Sequence, residues 1–166
     1  ESSPGEGTTF TFRLPFRLAK EEANDAKADT ASETGKELEG IHVLLVEDNE
    51  INMEIAEFYL TDRGATLDKA WNEKEALEQF ERSPEGTYDI ILMDVMMPVM
   101  NGLEASRQIR SLSRPDGNMI PILAMTAQDA ISVSSQCRQY GMDDYVLKPA
   151  DPEQLTKMIL KYVKTI

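Results

Sequence analysis

One cysteine, one histidine and one tryptophan are all that the 166 residues supply, and aromatic residues make up only 7% of them. A single thiol, Cys137, excludes an internal disulfide and fits a reducing compartment. Nothing beyond Arg138 would lower its pKa, so it is assigned no redox role. With one histidine there is no Cys/His cluster to hold zinc, and a Ser-His-Asp triad would have to use His42. That residue stands beside the apolar run Val43–Val46 and reads as a strand-edge residue instead. Positive charge is also scarce. Seventeen Lys and Arg face 30 Asp and Glu, a net charge of −13 that repels nucleic-acid phosphates. No apolar run approaches the roughly 20 residues that cross a bilayer, and no basic n-region precedes an apolar h-region. The expected setting is cytoplasmic, without direct membrane contact. The chain starts on Glu1 rather than Met, so it is expected to be a piece of a longer protein.

What is present divides into three stretches. "GEGTTFTFRLPF" places Phe10, Phe12, Leu14 and Phe16 on one side of an alternating run, the period-two signature of a half-buried strand. Ala19–Glu37 contains no aromatic residue and no aliphatic larger than alanine. It cannot bury enough surface to offset its ordering entropy, so residues 19–38 read as a flexible acidic linker. From Ile41 onward apolar content is regular. "IHVLLV", "YDIILMD" and "MIPILAM" are short apolar runs suited to strands buried on both faces, with "ATLDKAW" and "DYVL" as two further strands.

Between them lie helical patterns. Ile51, Ile55, Phe58 and Tyr59 recur at helical spacing up to a stop at Gly64, with Met53, Ala56 and Leu60 widening the stripe. Asn72 and Glu75 form a capping box ahead of Ala76, Leu77 and Phe80. Leu103–Leu112 turns Ala105, Ile109 and Leu112 inward, and Ala130–Tyr140 is a helix ended by Gly141. Asp151 caps a last helix with Pro152 at its first position and Leu155, Ile159, Tyr162 and Val163 as its stripe. Five strands alternating with five helices predict an α/β fold on a parallel sheet, any site lying beyond the carboxyl ends of the strands.

At those ends stand Glu47 and Asp48 after strand one, Asp94 after strand three, Thr126 after strand four and Lys148 after strand five. Each alone has an ordinary reading: a cap, a turn, a core threonine, a solvated lysine. Their coincidence at neighbouring strand ends is what those readings do not foresee. Carboxylates gathered together need a counter-charge, and oxygen ligands suit Mg²⁺. A lysine and a hydroxyl are what a phosphoryl group requires, and a carboxylate can accept one as an acyl phosphate. Asp94 is the central candidate.

The successive motifs "LLVEDNEIN", "DIILMDVMMPVMNG", "PILAMT" and "GMDDYVLKP" resemble those of the response-regulator receiver domain, from Ile41 to the C-terminus. The resemblance implies a flavodoxin-like, doubly wound five-stranded parallel sheet in the order 2-1-3-4-5 with five helices. It implies Asp94 as phosphoacceptor, and Mg²⁺ held by Asp48, Asp94 and the backbone carbonyl of Met96, with Glu47 acting through water. Thr126 and Lys148 would hold phosphoryl oxygens, Lys148–Pro149 would be a cis peptide, and Tyr145 would be the aromatic partner of Thr126 in a conformational switch. Met96 and Gln128 are poor at orienting water, so slow self-dephosphorylation is expected.

"GEGTTFTFRLPF" in turn resembles the last glycine motif and final strand of a histidine-kinase ATP-binding domain. Gly5 and Gly7 would face ATP phosphates there, but the rest of that fold is missing here and no ATP binding is expected. The order implies the C-terminal end of a hybrid sensor histidine kinase: residues 1–18 a kinase remnant, 19–38 the linker and 39–166 the receiver. Thr9–Phe16 should be unordered or borrow a partner, not enter the sheet. As a fragment the chain would be a phosphoacceptor, not an enzyme. Its partners would be the kinase core and a histidine phosphotransfer domain, docking on Ile51, Asn52, Ile55 and Met97. The competing reading is a binding-only receiver that regulates its kinase without turning phosphate over.

Overall fold

A computed structural model describes residues 2–3, 7–8, 36–96, 102–127 and 137–163. It divides into two units, Glu1–Ser32 and Glu33–Ile166. In the first, Ser2–Ser3 pairs antiparallel with Gly7–Thr8. Phe10, Phe12, Leu14 and Phe16 lie outside the described residues, as do Met97 and Gln128.

The second unit runs β1 (His42–Val46), α1 (Glu50–Asp62), β2 (Thr66–Ala70), α2 (Glu73–Arg82), β3 (Ile90–Asp94) and α3 (Gly102–Ser111). A short 3₁₀ turn (Pro115–Asn118) leads to β4 (Ile122–Thr126). Helix α4 is described at residues 137–139. It is followed by β5 (Asp144–Leu147) and α5 (Pro152–Val163). All five strands pair in parallel, in the order β2-β1-β3-β4-β5. This is the expected 2-1-3-4-5 sheet.

Strand alternation sorts the core. Leu44, Val46, Ile91, Met93, Ile122 and Ala124 face a cluster completed by Ala76 and Phe80 of α2 and by Ala105 and Ile109 of α3. Val43, Leu45, Ile90, Leu92, Leu123 and Met125 face the opposite cluster with Met53 and Leu60 of α1 and Leu155 and Ile159 of α5. Every residue of β3 and β4 is buried, which is why those strands read as unbroken apolar runs. Edge strand β2 is mostly exposed and polar.

Helix α1 differs from its expected stripe. Met53 and Leu60 pack on the sheet, whereas Ile51, Ile55 and Phe58 are 68%, 49% and 63% exposed. The apolar surface is wide because it is two faces. The caps behave largely as expected. Asn72 Oδ1 accepts the Glu75 N–H at 2.9 Å, while the Glu75 carboxylate returns to the N–H of Trp71, one residue before the cap. Asp151 Oδ2 accepts the Gln154 N–H at 3.0 Å ahead of α5. Gly64 and Gly141 end their segments at φ +90° and +85°.

Two other features escape the sequence pattern. Leu38, placed in the linker by its surroundings, is fully buried in the α1/α5-side core, and its N–H donates to the Arg63 carbonyl at 3.0 Å. Arg110 of α3 donates to the carbonyls of Gly141, Gly117 and Ile120 at 2.8, 2.9 and 2.7 Å, and to Asp143 at 2.9 Å. It thereby ties the entries to β4 and β5 together, far from the strand ends that carry the site.

Candidate functional site

The carboxyl ends of the strands are held level by main-chain bonds. The Glu47 N–H donates to Ala70 O at 3.1 Å, that of Val95 to Met125 O at 3.0 Å, and that of Lys148 to Thr126 O at 2.7 Å. The side chains expected there do converge. One carboxylate oxygen from each of Glu47, Asp48 and Asp94 lies within 4.8 Å of the others. Glu47 and Asp94 are 1% and 5% exposed, Thr126 is fully buried, and Asp48 is exposed. The Lys148 ammonium pairs with Asp94 Oδ2 at 2.6 Å and with Glu47 Oε2. The Lys148–Pro149 peptide is cis.

Asp94 has its second oxygen occupied too, since Oδ1 accepts the Met96 N–H at 2.9 Å. Met96 is 59% exposed, and its thioether is a poor group for orienting an attacking water. Behind Asp94 stands Gly102, where a Cβ would collide with the Asp94 carbonyl oxygen. Glycine lets the start of α3 approach the strand end this closely. Tyr145 is half-buried in β5, packed against the core on the α2/α3 side.

Electrostatics define what this cleft can hold. Three carboxylates, two of them buried and Asp48 exposed, stand around one ammonium and leave a surplus of negative charge that an oxygen-seeking dication fits. The donor set has no nitrogen or sulfur ligand, which favours Mg²⁺ over zinc. Among the described residues this is the one such grouping of acidic, histidine or cysteine side chains. Lone His42 is engaged elsewhere, at the start of β1, 3.3 Å from Asp68 and with its ring 5.0 Å from that of Tyr88.

A cap at Asp48 or Asn49 was expected and Asn49 supplies it, whereas the role of Asn52 in the site was not foreseen. Asn49 caps α1 by accepting the Asn52 N–H at 3.1 Å, and the Asn52 side-chain amide donates to Glu47 Oε1 at 3.0 Å. Asn52 therefore faces the acidic cleft as well as lying beside the exposed Ile51 and Ile55.

With this geometry in view, the relationships of the chain are clear. A family model described as the response regulator receiver domain matches residues 43–160. The chain belongs to that family, the receiver module of two-component signal transduction. Similar curated proteins include a bacterial sensor protein and a hybrid signal transduction histidine kinase. The chain is 35% identical over 164 residues to the aerobic respiration control sensor protein ArcB of Escherichia coli K12, covering 99% of this chain and 20% of ArcB. It is 34% identical over 170 residues to hybrid signal transduction histidine kinase I of Dictyostelium discoideum, covering 95% of this chain and 10% of the relative. It thus spans a fifth or less of either relative.

Among solved structures, the receiver domain of a Pseudomonas aeruginosa sensor histidine kinase superposes with TM-score 0.67 at 34% identity, covering 75% of this chain and 98% of that one. That receiver carries magnesium coordinated in its active-site cleft. The Saccharomyces cerevisiae receiver solved with its histidine phosphotransfer protein gives TM-score 0.65 at 30% identity, over 75% and 90% of the two chains.

Proposed function

We propose that this chain is the phosphoacceptor receiver of a phosphorelay, taking a phosphoryl group from a kinase phosphohistidine onto Asp94 and passing it to a histidine phosphotransfer domain. The observation that carries the reading is the convergence of Glu47, Asp48, Asp94 and Lys148 at one end of the sheet. Mg²⁺ would be held by Asp48, Asp94 and the Met96 carbonyl, with Glu47 acting through water. When bound, it neutralises charge on the transferred oxygens.

The chain's own residues do the rest. An Asp94 carboxylate oxygen attacks phosphorus; the P–O bond forms as the P–N bond breaks, and the imidazole nitrogen leaves with its electron pair. Lys148, already on Asp94, is placed to follow the charge onto the phosphoryl oxygens, and the Thr126 hydroxyl donates to another. Movement of Thr126 would let Tyr145 turn inward and remodel the face formed by α4, β5 and α5. The exposed Met96 side chain supports slow loss of phosphate, which suits a relay.

Ile51, Ile55 and Phe58 form an exposed i, i+4, i+7 row on α1, the form in which a partner helix is received. The occupant is taken to be a histidine phosphotransfer domain, the class of protein with which the yeast receiver was solved. The domain plan of a kinase remnant over 1–18, a linker from 19 and then the receiver completes the reading, with the linker ending before Leu38, which is packed in the receiver core. The setting is cytoplasmic, the parent kinase being free to carry an anchor elsewhere; no described helix is long and apolar enough to cross a membrane.

The test is incubation with Mg²⁺ and a small phosphodonor, followed by intact mass. A base-labile gain that disappears in Asp94→Asn supports the acceptor. No gain in the wild type replaces it with the binding-only receiver.

A further inference from the structure

Glu47 is the most enclosed acid of the cleft, yet both its oxygens are committed in directions set by different parts of the fold. Oε2 goes to Lys148, from the far end of the sheet. Oε1 accepts from the Asn52 side-chain amide at 3.0 Å and, at a longer 3.4 Å, from the Asn49 N–H. We infer that Asn52 is a positioning residue of the acidic site: its amide fixes the Glu47 carboxylate and thereby raises the affinity of the cleft for a divalent cation that Asn52 itself does not touch. The inference rests on the reading that the cleft takes Mg²⁺.

Geometry separates this role from capping. The N-cap of α1 uses the backbone N–H of Asn52, through Asn49 Oδ1, and leaves the side-chain amide available for Glu47. The cap also fixes the Asn52 backbone in the first turn of α1, five residues after Glu47, so the amide reaches the carboxylate from an ordered support. Chemistry explains the residue type. A lysine or arginine here would hold Glu47 equally well but add a positive charge against an incoming dication. Asparagine orients the carboxylate and leaves its charge intact. Lys148 cannot serve alone, because its ammonium is divided between Glu47 and Asp94 and is itself repelled by a cation among them.

Groups that bond to a direct ligand typically change metal affinity about 10- to 100-fold when removed, and because Glu47 acts through water the effect of its partner belongs at the low end of that range. The experiment is calorimetric titration of the full chain with Mg²⁺ alone, without phosphodonor, for wild type and Asn52→Ala. The side-chain amide signals of Asn52 are followed in parallel by NMR in EDTA. The dissociation constant should rise about tenfold in Asn52→Ala. The bonded amide proton should move toward its unstructured position in Glu47→Ala. A merely structural role would lower unfolding stability in EDTA and leave the Mg²⁺ constant where it was. An Asn52→Ala constant within about twofold of wild type, or an Asn52 amide signal indifferent to Glu47→Ala, overturns the inference. Absence of Mg²⁺ binding by the wild type would instead overturn the metal reading beneath it.

Discussion

Replacing Lys148 by alanine removes the cation that, among the described residues, faces two buried carboxylates, Glu47 at 1% and Asp94 at 5% exposure. Removing one partner of a buried pair typically costs about 3–5 kcal/mol, because the remaining charge is stranded. One feature lowers that figure here. The Lys148 side chain is itself 20% exposed, so its charge is partly screened. The expected loss is therefore about 2–3 kcal/mol. Urea unfolding in EDTA reads it directly. Added Mg²⁺ should stabilise Lys148→Ala more than the wild type, since the dication takes over the counter-charge the ammonium supplied. Equal stability of variant and wild type in EDTA, or an equal gain from Mg²⁺ in both, would refute the reasoning.

Other consequences follow from single side chains. Gly102→Ala sets a Cβ against the Asp94 carbonyl, and denaturant unfolding should record a loss of about 1–3 kcal/mol with a disturbed Asp94. On α1 the two faces should separate. Ile55→Glu should change stability by less than about 0.5 kcal/mol while slowing phosphoryl transfer to a histidine phosphotransfer domain, whereas Leu60→Ala should cost about 2–5 kcal/mol. At the other end of β1, burial, followed by the hydrogen bond to Asp68, pushes the Tyr88 hydroxyl up to about 12. A value raised on folding means stability that is complete below pH 10 and lost as pH climbs from about 10 to 12, by at most about 2.7 kcal/mol. That decline should be absent from the alkaline unfolding profile of Tyr88→Phe.

Much of the architecture was legible because the sheet is covered on both sides. "HVLLV", "IILMD" and "ILAMT" are buried almost throughout, so they announce inner strands without alternation, and the residues at or just past their carboxyl ends mark the site. The convergence of Glu47, Asp48, Asp94 and Lys148 followed from topology alone. Helix α1 was less transparent: Met53 and Leu60 on one face and Ile51, Ile55 and Phe58 on another all satisfy helical spacing. Periodicity cannot say which face meets the sheet. Leu38 was lost to the linker because one buried leucine beside a polar run leaves no pattern. The Asn52 amide was invisible for a different reason. Its bond to Glu47 depends on how α1 leaves β1, which no local sequence signal encodes.

The most direct test of the account is to locate the phosphoryl group. After loading with Mg²⁺ and a small phosphodonor, reduction with borohydride converts an aspartyl phosphate to homoserine, and peptide mass spectrometry identifies the position. The account predicts conversion at Asp94 alone, dependent on Mg²⁺ and on Lys148. Label on Glu47, Asp48 or any other side chain while Asp94 stays unmodified would contradict it.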